Sequence, residues 1–182
     1  LKSGTAVDGA VVTVVAMISR ESNIDDILSR TAKGVVTLVP AAGAGSFYLM
    51  DRLHDQLRGC TCEQQQSSVP SMMTSDAHLA LTSNAFGIKD APAEVVSAIN
   101  NGHSIVDLMK HAIIPVVSPG GDGSVLGVIT AQIGQPANAD ATEGLSRSGI
   151  ERLELLAYLL AGPLSHCLAA EVAQLERMHA IA

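Results

Sequence analysis

Apolar positions in the first twenty residues recur at helical spacing: Val11, Val14, Val15 and Ile18. All four are β-branched, which lowers the propensity but leaves the pattern. A second stripe, Ile24, Ile27, Leu28, Thr31 and Val35, predicts a helix from about 23 to 38. Ser22 and Asp25 have capping-box spacing, and Asp25 and Asp26 suit the positive end of that helix. Pro40 to Gly45 breaks it. The period then changes to two. Phe47, Leu49 and Asp51 alternate with Ser46, Tyr48 and Met50, which predicts two strands between Gly45 and Cys62, with a turn at Asp51–Asp55. Residues 63–76 read as a polar, irregular loop, and Met72 to Thr82 as a further strand.

A short helix follows, with Asp90 as N-cap, Pro92 in the first turn, Asn101-Gly102 as the stop, and Val95, Val96 and Ile99 facing inward. The stretch from His103 to Met109 predicts a short strand. Ile113–Val117 and Val125–Ile133 form a hairpin across a Gly-rich turn. That turn joins strand to strand and opens no helix, so its glycines serve geometry and not phosphate binding. Pro136 to Thr142 reads as a loop. The remainder is one long helical pattern. Ser148 and Glu151 form a capping box, and the face runs through Ile150, Leu153, Leu156, Leu160, Leu164, Leu168, Val172 and Leu175. Gly162-Pro163 predicts a kink. With no stop signal at its end, this helix is expected to lead towards another module. Antiparallel strands with helices at both ends of the order give an α+β fold.

Composition narrows the function classes. At 182 residues the chain fits one domain with helical extensions. Its aromatic side chains are Phe47, Tyr48, Phe86 and Tyr158, so the core is aliphatic and few platforms exist for stacking bases. The net charge of -7, with no Lys/Arg run, argues against nucleic acid and anionic membrane surfaces. It leaves room for one small anion in a locally positive pocket. Three cysteines make no disulfide framework and fit a reducing, cytoplasmic setting. The apolar stretch Gly9–Ile18 is far short of the ~20 residues of a membrane span. The chain begins at Leu1 and is expected to be cut from a longer protein.

Two constellations invite a chemical reading. Cys60 and Cys62 share one strand face, but no second ligand cluster accompanies them, so ordinary thiols are expected. His103, Asp107 and His111 are four apart and would share a face on a helix. Ile105, Val106 and Pro115 favour a strand instead, which spreads them, and no metal site is expected.

The element order and four stretches resemble the GAF domain family. They are "ILSRTAKGVVTLVPAAGAGSFYLMD", "AEVVSAINNGHSIVDL", "AIIPVVSPGGDGSVLGVI" and "GLSRSGIERLELLAYLLAGPLSHCLA". The resemblance implies a six-stranded antiparallel sheet. The terminal helices would lie on one face, often as a dimer interface, and a short helix would cover a ligand pocket on the other. It divides the chain into an N-terminal helical extension (1–22), the domain (23–170) and a C-terminal linker helix (171–182). It also implies a regulatory sensor excised from a signalling protein such as a phosphodiesterase or cyclase, not an enzyme, with no cofactor. The expected ligand is a cyclic nucleotide, cAMP or cGMP, and the expected assembly a homodimer through the terminal helices. The candidate ligand-binding residues are Ser46, Phe86, Ala91, Asp107 and His111. Ser46 matches a base-contacting serine or simply fills a small sheet position. Asp107 accepts hydrogen bonds from a ligand or caps its own turn. The helix beginning near Ala91 offers backbone N–H groups to an anion. The chain departs from the family at two places. Only Leu108, Met109 and Lys110 stand where most relatives have a longer lid, and the cyclic-nucleotide signature is not traceable. One alternative is a ligand-free dimerisation module. Another is an enzyme like the free methionine sulfoxide reductases, which the absence of Cys between Cys62 and Cys167 disfavours.

Overall fold

The computed structural model describes residues 2–21, 23–39, 41–51, 54–64, 79–133 and 144–181. The expected loops at 63–76 and 136–142 fall largely or wholly outside them. In chain order the elements are α1 (Lys2–Ser19), α2 (Ile24–Leu38), β1 (Ala42–Asp51), β2 (Gln56–Gln64), β3 (Leu79–Gly87), a 3-10 turn (Ile88–Asp90), α3 (Ala93–Asn101), β4 (Ile105–Asp107), β5 (His111–Val117), β6 (Val125–Ile133) and α4 (Arg147–Ile181). The strands form one sheet in the order β3-β2-β1-β6-β5-β4, every pair antiparallel. This is the α+β architecture expected from the sequence.

Strand alternation divides the side chains between two cores. Phe47 and Leu49 of β1, Cys60 and Cys62 of β2, Ile114 and Val116 of β5, and Ile129 and Ala131 of β6 face the helical layer of α1, α2 and α4. Val11 and Ile18 bring α1 into the same core. On the other face, Leu57, Ile113, Val125 and Val128 pack against Val95 and Ala98 of α3, with Tyr48, Met50 and Phe86 at the margin. Gly59 allows this second packing. A Cβ there would lie 2.3 Å from Cδ1 of Tyr48, so the ring rests on bare backbone.

Several termini differ from the expected ones. The N-cap of α2 is Asn23, whose Oδ1 accepts from the Asp25 N–H at 2.8 Å; Ser22 lies outside the described residues. α4 is capped by Ser146, not Ser148: its Oγ accepts from the Gly149 N–H at 3.0 Å, three residues on, where a cap acts. α3 starts at Ala93 with Pro92 as N-cap, because the chain first spends Ile88–Asp90 in the 3-10 turn; Asp90 therefore does not cap it. Gly102 closes α3 in the left-handed region, φ +66°, as its position promised. β3 runs on to Gly87, past the expected end at Thr82, while positions 72–78 of the expected strand lie outside the described residues. Its pairing with β2 is continuous from Gln56↔Gly87 to Gln64↔Leu79, which overrides the weak strand propensity of Ser83 and Asn84. α4 is continuous through Pro163, its first half held by buried Leu153, Leu156, Leu160 and Leu164. At ~1.5 Å per residue it is about 52 Å long. By length and composition α4 could cross a membrane, but Leu156, Ala157, Leu160, Ala161 and Leu164 of that stretch are buried in the domain core.

Candidate functional site

The register of the sheet creates a polar patch on the face that carries α3. Cross-strand partners form the row Thr82–Thr61–Ser46–Thr130, continued by Ile113 and Ile105, across all six strands. The next row reads Glu63–Ala44–Gln132–His111–Asp107. Ser46 and Thr130 are only 6% and 5% exposed. Ser46 Oγ and Thr61 Oγ1 share a hydrogen bond of 2.9 Å. The Thr130 hydroxyl is hydrogen-bonded to no described residue, and its oxygen keeps some access to solvent: among the described residues the side-chain polar atom that is sealed and without a partner is Arg152 Nε. On this face β6 runs Val128, Thr130, Gln132, and so turns from apolar to polar along its length.

Of the five expected ligand residues, three come together here. Ser46 lies in the first row, and Asp107 and His111 are direct cross-strand partners in the second. Phe86 lies four residues along β3 from Thr82, about 13 Å at strand spacing. There its ring meets Tyr48 edge-on at 5.6 Å, within the apolar seat of α3. Ala91 packs at the margin of that seat, and its N–H donates to the Ile88 carbonyl at 3.3 Å. The free N–H groups of α3 thus begin later than expected, and Glu94 occupies its first turn. Thr61, Thr82, Thr130 and Gln132 were not singled out from the sequence. The alternation of Thr130 and Gln132 with Ile129 and Ala131 was the available signal.

The connection between β4 and β5 is a closed turn. The Lys110 N–H donates to the Asp107 carbonyl at 2.9 Å, and Asp107 Oδ1 accepts from the Met109 N–H at 3.0 Å. The Leu108 carbonyl accepts from Leu145 N–H at 2.7 Å, which ties the turn to the segment leading into α4. Asp107 therefore caps its own turn while lying at the edge of the polar rows. Among the described residues no group of three His, Cys, Asp or Glu is placed to hold a metal; Asp107 and His111 face one another across strands, and His103 precedes β4.

All three thiols lie away from this face. Cys60 and Cys62 are buried beneath the helical layer, and Cys167 Sγ donates to the Glu21 carbonyl at 3.8 Å. Burial pushes all three above the ordinary thiol pKa; for Cys60 a hydrogen bond with Ser83 partly opposes the rise. Besides openings near Asn23 and Ser83, clefts also open on the helical side. One of about 300 Å³ involves Leu49, Arg58, Leu168 and Glu171, and one of about 480 Å³ lies between α1 and α2. In the first, Arg58 is already engaged by Asp25 at 2.8 Å and Glu171 at 3.6 Å, so its charges are spent on holding α4 and α2 to β2. Buried hydroxyls with capacity to spare mark the α3 face as the better candidate.

No family model matches the sequence, and no curated protein matches it. Solved structures do. The GAF domain of an Acinetobacter phosphoenolpyruvate-protein phosphotransferase superposes with a TM-score of 0.59 at 14% identity, covering 88% of this chain and 93% of that one. The corresponding GAF domain from Coxiella burnetii gives 0.57 at 14% identity, covering 89% and 96%. A free methionine-R-sulfoxide reductase from Neisseria meningitidis, in complex with its substrate, gives 0.55 at 16% identity, covering 90% and 91%. Similarity at this level of identity speaks for the architecture, and on it the fold of this chain is the GAF fold.

Proposed function

We propose that this is a regulatory, small-molecule-binding GAF domain that reads a ligand on the α3 face of its sheet. The observation that carries the proposal is the pair of hydroxyl residues, Ser46 and Thr130, largely buried beside the apolar seat of α3. In the nucleotide version the ligand is cAMP or cGMP, with the base against Ser46 and its neighbours. Two copies associate through α1 and α4, in the cytoplasm of the cell. The free thiols fit that setting. A ligand that moves Tyr48 presses on Gly59 of β2, and the adjacent Arg58 ties the same strand to Glu171 of α4. Ligand occupancy would in this way favour one arrangement of α4 over another and bias whatever module follows.

Isothermal calorimetry with cAMP and cGMP tests the nucleotide version: heat lost on Ser46→Ala supports it, and silence at millimolar ligand counts against it. A second reading, a ligand-free dimerisation module, draws on the closed β4–β5 turn, which forms no lid among the described residues at that edge. A dimer whose melting temperature ignores all small molecules would favour it, and a monomer at micromolar concentration by sedimentation would sink it. A reductase-type enzyme is the least supported version, since none of the three cysteines reaches the polar face.

A further inference from the structure

The charge of the ligand follows from what surrounds the polar rows, given the sensor reading above on which this inference rests. Among the described residues between Arg58 and Arg147 the basic ones are Lys89 and Lys110, against Glu63, Asp90, Glu94, Asp107 and Asp122. That span supplies β3, α3, β4, β5 and β6 and the connections between them. β1 contributes no basic residue, and the arginine of β2, Arg58, is held on the opposite face by Asp25 and Glu171.

Neither lysine replaces a phosphate clamp. Lys89 is exposed in the 3-10 turn at the Phe86 end of the sheet, away from the hydroxyl row. Lys110 is exposed in the β4–β5 turn, three residues after the carboxylate of Asp107. The N-terminal turn of α3 carries Glu94, which already complements the positive end of that helix.

The groups that do line the rows are hydroxyls, an amide, an imidazole and carboxylates. Ser46 and Thr61 hold two hydroxyl protons between them and share one hydrogen bond, so one proton and several lone pairs remain for a ligand. Thr130, nine-tenths buried and without a protein partner among the described residues, adds a further donor and acceptor beside them. Glu63 and Asp107 flank the second row and favour N–H or ammonium groups. We infer that the polar rows take an uncharged or cationic small molecule that both donates and accepts hydrogen bonds, and that they reject phosphate esters. This departs from the cyclic-nucleotide version while keeping the site.

The test is ¹⁵N NMR of the intact 182-residue chain, titrated separately with adenosine, guanosine, ethanolamine and choline, and with cAMP, cGMP and inorganic phosphate. The amide signals of Ser46, Thr61 and Thr130 report. The expected result is that at least one neutral or cationic probe shifts these signals at a concentration at least tenfold lower than any anionic probe, with the shift lost in Thr130→Val. If cAMP, cGMP or phosphate shifts them as tightly or more tightly, the charge inference is overturned and the sensor reading stands. Should no probe move these signals at millimolar concentration, both fall together.

Discussion

Replacing Thr130 by Val separates a binding surface from a packing surface. If the Thr130 hydroxyl served the fold, it would have a partner; it has none among the described residues although only 5% of the residue is exposed. A sealed, unpaired hydroxyl costs about 1–3 kcal/mol, but the Thr130 oxygen is not sealed, so water offsets most of that cost. Val has nearly the same shape and suits a strand better, and Thr130 pairs with Ser46 and Ile113 in the middle of the sheet. Thr130→Val is therefore expected to leave stability unchanged or raise it by up to about 1 kcal/mol. Thr31 is the internal control. It is equally buried, but its Oγ1 donates to the Ile27 carbonyl at 2.7 Å within α2. Thr31→Val keeps the β-branched shape and loses that bond, for a cost of about 0.5–1.5 kcal/mol. Urea unfolding followed by circular dichroism measures both. If Thr130→Val destabilises as much as Thr31→Val, the hydroxyl has a structural partner and the case for a ligand floor collapses.

Three further outcomes follow from particular contacts. Gly59→Ala drives a methyl into the Tyr48 ring and should cost about 1–3 kcal/mol. The cost should fall below about 1 kcal/mol in a Tyr48→Ala background, and equal costs in both backgrounds would show that the ring is not the obstacle. The buried thiols hold their protons more tightly in the folded than in the unfolded chain. Their contribution to stability is intact below the ordinary thiol pKa, about 8.5, and is lost as pH climbs through the raised values. Urea midpoints should accordingly decline on the alkaline side. Iodoacetamide at neutral pH should label Cys167 before Cys60 and Cys62, the reverse order being incompatible with the packing. Glu171→Gln weakens the tie to Arg58, which is a partly exposed ion pair worth under about 1 kcal/mol. Global stability should hardly change while amide exchange in the last four turns of α4 quickens; unchanged exchange would remove Arg58 from any route between sheet and helix.

The sequence made the fold legible where two signals agreed. β-branched composition marked β6 and the stripe of α2 met a run of capping residues, so these two were placed within a residue or two; alternation found β1, which nevertheless begins at Ala42, three residues earlier and inside the expected break at Pro40–Gly45. It failed where local chemistry offered rival choices. Ser22 and Asn23 are adjacent potential caps, as are Ser146 and Ser148, and which one caps is decided by how the chain enters the helix. β3 carries little strand propensity and exists because β2 pairs with it. The site divided along the same line. Ser46, Asp107 and His111 share a face because strand register places them there, and register is invisible until the partners are known. Thr61 and Thr130 are the cross-strand neighbours of Ser46, so the hydroxyl row was beyond reach without the pairing. Phe86 lies at the other end of its strand, against Tyr48 in the apolar seat of α3.

A crystal structure of the domain soaked with whichever probe binds best is the most direct measurement of where the ligand sits. The account predicts density over the α3 face, with a polar atom of the ligand within hydrogen-bond distance of Thr130 and of the Ser46–Thr61 pair. Density in the cleft between Arg58 and Glu171, with the hydroxyl row uncovered, would contradict it.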